Sequence, residues 1–193
     1  MRIVFVSICL FLSLTAFTPT DINYQHKAIS KTLIKSVNMV NPNLIEIPLP
    51  DSLMDELGVQ GKYFKVTNEN SDCKITVVYI GRVNSCRAGG CSISNDVMGG
   101  QSEYFDYMVC FNQESEVELV KVFNYQATHG HEVTAKGWLR QFAGHNADNT
   151  LEVGKNVDSI SGATISVNGI TNDIIAKTKL LQQLQTTSAM AAN

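Results

Sequence analysis

Residues 158–166 read DSISGATIS, and mostly apolar residues recur at helical spacing in the segment that follows them. The repeating positions are Ile170, Ile174, Thr178 and Leu181. The small residues at 161–163 predict a tight turn that presents the hydroxyl of Thr164 at the entrance to this helix. Because a helix N-terminus carries unpaired amides and a partial positive charge, the stretch predicts a hydroxyl that carries a phosphate or lies beside one.

The same stretch fits the pattern D-x-x-(S/T)-G-A-T and resembles the flavin-attachment signature of the FMN-binding domain family. The family includes the C subunit of the sodium-translocating NADH:quinone oxidoreductase and the G subunit of the Rnf complex. Its members carry FMN joined through its phosphate to the last threonine, by a separate FAD:protein FMN transferase. The resemblance therefore implies that Thr164 is the acceptor. The other cofactor-binding positions that it implies are Asp158, Ser161, Gly162, Ala163, Ile165 and Ser166.

A plain helix cap is the alternative interpretation of this stretch, because serine and threonine are common N-cap residues. On the letters S-G-A-T alone, the cap is the better interpretation. The aspartate at the correct offset, the helix that follows and an export signal at the N-terminus together favour flavin attachment. Ser166 is the nearest competing hydroxyl to Thr164.

Length and composition indicate a single domain with an ordinary core. The chain has 193 residues, of which 44% are hydrophobic, enough for one packed unit. The net charge is −3, so there is no excess of basic residues for nucleic acid to bind. We expect no nucleic-acid partner.

The N-terminal residues 1–16 have the pattern of a secretory signal peptide. Arg2 is followed by an almost unbroken apolar run over residues 3–14, which is shorter than the roughly 20 residues of a spanning helix. We expect an exported protein, in the periplasm or on the outer face of the cytoplasmic membrane. An uncleaved membrane anchor is the alternative.

Beyond Cys9 the chain contains four cysteines, namely Cys73, Cys86, Cys91 and Cys110. An even number in an exported chain favours disulfide bonds, and three pairings are possible. A redox-active pair or a metal site is the alternative, but C-x4-C is not the C-x-x-C of thiol oxidoreductases. No histidine has zinc-ligand spacing to this pair, and His129 and His131 lack an evident carboxylate or cysteine partner, so we predict no metal site.

The pattern of elements predicts an α+β fold, with helices packed on an antiparallel sheet. Strands are predicted at 44–47, 63–66, 74–80, 104–111 and 116–125. Helices are predicted at 21–40, 51–57, 134–144 and 166–184. Residues 81–102 read as a long connection, and the polar residues 112–115 join the last two strands as a hairpin.

The resemblance to the FMN-binding domain family extends over residues 63–184. Residues 138–142 read WLRQF and match a W-x-x-Q-F-like helix that precedes the attachment turn in the family. Residues 129–132 match its glutamate-containing loop only loosely, because the usual P-G-L-G is absent after Glu132. The predicted divisions of the chain are a signal segment at 1–16, a helical extension at 17–60, the FMN-binding domain at 61–185 and a flexible tail at 186–193.

The resemblance implies an electron carrier that works with redox partner proteins or a membrane electron-transfer complex, after maturation by the transferase. The sequence contains no evident nucleophile–base pair or dinucleotide-binding fingerprint, so stand-alone catalysis and direct NADH oxidation are not expected. A secreted, disulfide-stapled binding module of the same fold without flavin is the main alternative. A thiol redox protein that uses Cys86 and Cys91 is a weaker one.

Overall fold

The structure, a computed structural model, describes residues 21–49, 60–85 and 103–191 and contains a five-stranded antiparallel sheet. The strands are β1 (Asn43–Ile47), β2 (Gly61–Thr67), β3 (Ile75–Asn84), β4 (Tyr104–Asn112) and β5 (Val117–Tyr125). Each strand pairs with the next one along the chain, so their order in the sheet is their order in the sequence. The predicted α+β fold and the β4–β5 hairpin are confirmed.

The helices are α1 (Lys27–Ser36), α2 (Lys136–Leu139) and α3 (Thr164–Ala191). Short 3-10 turns at His131–Thr134 and Arg140–Phe142 flank α2. The single helix predicted at 134–144 is therefore three short pieces. Helix α3 begins two residues before its predicted start and continues to Ala191, beyond its predicted end at 184.

One face of the sheet, which we call the front face, packs against α3. The core on this face includes the fully buried rings of Tyr63, Tyr79 and Tyr107. The residues of α3 that recur at helical spacing pack into the same core. Ile170, Ile174, Thr178 and Leu181 are each at most 2% exposed. The repeat that predicted the helix is thus the side of α3 that the core buries.

The opposite, back face of the sheet packs against α1 through Ile29 and Leu33. The helix predicted over 21–40 is wrong at both ends. The observed helix α1 begins after His26, whose Nδ1 accepts a hydrogen bond from the Ala28 amide at 3.2 Å and caps the helix. It ends before Asn38, whose φ of 56° is left-handed and cannot continue a right-handed helix.

Strand β3 extends four residues beyond its predicted end, through Gly81, where the long connection was expected to begin. A Cβ on Gly81 would lie 2.3 Å from Tyr79 Oη. The glycine is therefore required because an aromatic ring crosses the backbone, and not because the chain turns. Residues 86–102 and the helix predicted at 51–57 lie outside the described ranges.

The described cysteines are free thiols. Cys110 is buried in the back core, and Cys73 is partly buried beside the same cluster. Cys73 and Cys110, one of the pairs that the even number of cysteines allowed, are therefore not joined by a disulfide. Cys73 precedes β3, and Cys110 pairs with Val78 and Leu119 in the sheet. Burial, with a smaller contribution from Cys73, raises the pKa of the Cys110 thiol well above its usual range. Cys86 and Cys91 lie outside the described residues.

Within the described ranges, no helix combines the length and the apolar character that crossing a membrane requires. The N-terminal segment at 1–16 lies outside those ranges.

Candidate functional site

Residues 158–163, which we call the attachment turn, lead directly into α3. The Ala163 amide donates to the Ile160 carbonyl at 3.1 Å, and the Ala163 carbonyl accepts the first helical bond, from Val167, at 2.9 Å. Between them Gly162 has a φ of +78°, a left-handed conformation that glycine adopts without strain. The half-buried Ile160 and the buried Ala163 fix the turn to the front core.

Thr164 is the first residue of α3, and it is exposed. The preceding residue is an alanine, whose methyl group cannot cap the first amides of the helix. The first turn of α3 contains no acidic residue, so the partial positive charge of the helix N-terminus is not neutralised there. A phosphate on the Thr164 hydroxyl would meet a favourable local potential.

Ser166, the nearest competing hydroxyl, faces the interior. It is 2% exposed, and its Oγ lies 2.6 Å from Oγ of Ser85, which follows β3. Gly130 packs against it so closely that an added Cβ would lie 2.9 Å from the Ser166 oxygen. Burial raises the pKa of the adjacent Tyr125, whose hydroxyl donates to the His129 carbonyl. Ser166 therefore joins the loop after β5 to α3 and does not reach the surface.

The seven predicted site residues divide by exposure. Those that reach the surface are Asp158, Ser161, Gly162, Thr164 and Ile165. Ala163 and Ser166 are 3% and 2% exposed. The first group is accessible from solvent, whereas the second group anchors the turn and the start of the helix.

Two residues of the WLRQF segment hold Asp158 from both sides, and we call them the Asp158 clamp. Trp138 Nε1 donates to the Asp158 carbonyl at 2.8 Å, and Gln141 Oε1 accepts from the Asp158 amide at 2.7 Å. Gln141 Nε2 in turn donates to the Trp138 carbonyl at 3.0 Å. The sequence motif singled out these two residues, but without their contact to the turn.

Residues 100–176 match the family model described as the FMN-binding domain. This part of the chain is an FMN-binding domain. The matched range contains β4, β5, the Asp158 clamp, the attachment turn and the first half of α3. The predicted resemblance to the FMN-binding domain family is confirmed over this range. No curated protein matches the chain.

The residues of this FMN-binding domain fit a flavin phosphate at Thr164. The Thr164 hydroxyl is exposed at the N-terminus of α3, and the first turn of this helix contains no acidic residue. A Cβ built on Gly162 has no neighbouring atom within 4 Å, so the space beside the turn is open. Lys155, which precedes the turn, is exposed and paired with Glu152 at 2.8 Å.

The histidine-containing loop of the domain lies beside the turn but forms no metal cluster. His131 packs edge-on against Tyr125, with ring centroids 5.1 Å apart, while His129 and Glu132 are exposed. Among the residues that the structure describes, no group of three or more His, Cys, Asp or Glu side chains is arranged to bind a metal ion.

A cavity of about 440 Å³ lies on the back face of the sheet, between α1 and β1–β2. It is lined by the buried Leu33 and Phe64 and by the more exposed Tyr24 and Glu46, among others. It shares no residue with the attachment turn.

Proposed function

We propose that the protein is an extracytoplasmic electron carrier that holds FMN through a phosphoester to Thr164. The observation that carries the proposal is the exposure of Thr164 at the first residue of α3, inside the matched FMN-binding domain. Ser166, two residues later, is buried and bonded to Ser85. The two hydroxyls of this helical turn are therefore not equivalent acceptors.

The attachment step forms one bond and breaks one. Oγ1 of Thr164 bonds to the phosphorus of the FMN half of FAD, and the bond from that phosphorus to the bridging oxygen breaks. AMP leaves with the bridging oxygen, and the hydroxyl proton of Thr164 passes to a base of the transferase or to water. No electron is transferred, so this chain supplies only an accessible hydroxyl in a fixed position.

The bound flavin would supply the electron-transfer chemistry, and the protein would supply attachment, orientation and local charge. The amides at the start of α3 would stabilise the phosphate, which keeps a negative charge after the ester forms. The exposed turn leaves room for redox partner proteins to approach. The absence of acidic residues in the first helical turn also supports this assignment.

Covalent attachment suits a protein outside the cytoplasm. An exported chain cannot draw on the cytoplasmic pool of FMN, and a phosphoester prevents loss by dissociation. The apolar pattern of residues 1–16 supports this location. We therefore place the carrier in the periplasm or on the outer face of the cytoplasmic membrane.

The test is coexpression of the full chain with an FAD:protein FMN transferase, followed by denaturing gel fluorescence and intact-mass analysis. Wild-type protein should fluoresce and gain the mass of one FMN less one water. Thr164→Val, which keeps a β-branched side chain but removes the hydroxyl, should do neither. Ser166→Ala and Ser159→Ala are matched controls and should be modified like wild type.

Unmodified mass for wild-type protein beside an active transferase would overturn the proposal. Fluorescent Thr164→Val protein would show that another residue is the acceptor.

A further inference from the structure

The Asp158 clamp holds the start of the attachment turn by its backbone. Both backbone hydrogen-bonding groups of Asp158 are used, at 2.8 Å to Trp138 and at 2.7 Å to Gln141. The bond from Gln141 to the Trp138 carbonyl, at 3.0 Å, couples the two clamp residues to each other. Trp138 is 9% exposed and packs edge-on against the buried Phe142, so the clamp itself is fixed in the front core.

The clamp leaves the side chain of Asp158 exposed. This separation matters because the carboxylate belongs to the attachment signature while the backbone of the same residue belongs to the protein interior. Because its backbone is held on both sides, the direction of the Cα–Cβ bond of Asp158 is defined. The clamp therefore fixes the point at the surface from which the side chain of the first signature residue extends.

The turn is held at its other end by α3, through the buried Ala163. Between the two ends, Ser159, Ser161 and Gly162 are exposed, and Ile160 is the one half-buried side chain. Loss of the clamp would therefore leave Asp158 held only through its neighbours in the chain, the buried Val157 and the segment that includes the half-buried Ile160. More backbone conformations would then be accessible, and ordering them again on binding lowers the affinity or the rate.

We propose that Trp138 and Gln141 are positioning residues for flavin attachment, which fix the turn in the conformation that the transferase recognises. This inference rests on the proposed attachment of FMN to Thr164. In this view the transferase reads a folded surface and not only a linear signature. The residues that shape this surface lie about 20 positions before the signature in the sequence.

The experiment measures attachment kinetics with purified transferase, FAD and the folded, unmodified protein. Gln141→Leu removes the acceptor for the Asp158 amide and the donor to the Trp138 carbonyl. We expect kcat/KM to fall about tenfold, since a net hydrogen bond changes an equilibrium by roughly two- to tenfold. Gln141→Glu keeps an acceptor for the Asp158 amide and should recover part of the loss.

Two matched controls separate positioning from general stability. Gln182→Leu makes the same substitution at a half-buried position on α3, away from the clamp, and should leave kcat/KM unchanged. Phe142→Leu reduces the packing beside Trp138 but removes neither bond to Asp158. At a temperature where each variant is fully folded, its kcat/KM should exceed that of Gln141→Leu.

Hydrogen exchange gives a readout that does not depend on the transferase. The amide of Asp158 should exchange faster in Gln141→Leu than in wild type, while the amides of β4 keep their protection. In Gln182→Leu, the Asp158 amide should exchange at the wild-type rate.

Two failures can be distinguished. If wild-type protein is never modified, the proposed function fails. If wild type is modified and Gln141→Leu is modified with the same kcat/KM, the transferase reads the linear signature, and the positioning role is wrong.

Discussion

Gly130 lies where the loop after β5 meets the start of α3, and its replacement by alanine tests how closely the two segments pack. Its φ of +83° is left-handed, a region where residues other than glycine are strained. A Cβ at this position would lie 2.9 Å from Ser166 Oγ and 3.2 Å from both Ala163 Cβ and Tyr125 Oη. Backbone strain of about 1–2 kcal/mol and overpacking of about 1–3 kcal/mol together predict a loss of about 2–5 kcal/mol in unfolding free energy.

Two other glycines of the same domain serve as controls, and urea denaturation of all the variants is the assay. Gly162 also has a left-handed φ, +78°, but the space at its Cβ position is open. Gly162→Ala should therefore cost only the backbone strain of about 1–2 kcal/mol. Gly137, in α2, has open space and an ordinary φ, so Gly137→Ala should be neutral or stabilise by up to about 1 kcal/mol.

The order of the three variants is the decisive result. If Gly130→Ala costs no more than Gly162→Ala, the contact with Ser166 contributes nothing and the argument from close packing is wrong. A double variant adds a second check. Ser166→Ala removes the oxygen nearest to the new methyl group, so its combination with Gly130→Ala should be less destabilising than the sum of the two single changes.

Two further predictions concern buried polar groups away from the turn. Burial is the main cause that lowers the pKa of His145 below its usual 6.5, so the folded state binds a proton less readily than the unfolded state. The contribution of this histidine to stability is present above about pH 6.5 and is lost as the pH falls toward the folded pKa. Replacing His145 with asparagine should therefore flatten the stability profile below pH 6.5 in urea titrations, and an unchanged profile would contradict this assignment. Asp106 is 1% exposed and pairs with Arg82 at 2.6 Å, so Asp106→Leu should lower the thermal midpoint through a loss of about 3–5 kcal/mol, and a loss below about 1 kcal/mol would contradict the buried-pair assignment.

Local periodicity was sufficient to predict α3, because its buried positions repeat at a spacing that only a helix satisfies. The ends of elements depended on contacts that no local pattern contains. Helix α1 begins at the ring nitrogen of His26, and histidine is not among the usual N-cap residues. Strand β3 passes through Gly81 because the ring of Tyr79, two residues earlier, lies over it.

The candidate site was likewise predictable only where its residues lie close together in the sequence. The signature identified the turn and Thr164, since both lie within one short stretch of sequence. The Asp158 clamp was not predictable, because Trp138 and Gln141 reach the turn through hydrogen bonds to backbone atoms, and backbone atoms leave no trace in the sequence of the turn. The contact between Ser166 and Ser85 joins residues 81 positions apart and has no local signal either.

The accessible hydroxyl follows from the way α3 packs on the sheet. Successive residues of an α-helix are about 100° apart, so Thr164 and Ser166 point in directions that differ by about 200°. Ile170 and Ile174 face the core, and counting back by three or four residues from Ile170 reaches Val167 and Ser166, which are also buried. Thr164 falls on the opposite side and is exposed. The apolar repeat that builds the core therefore also determines which hydroxyl at the start of the helix a transferase can reach.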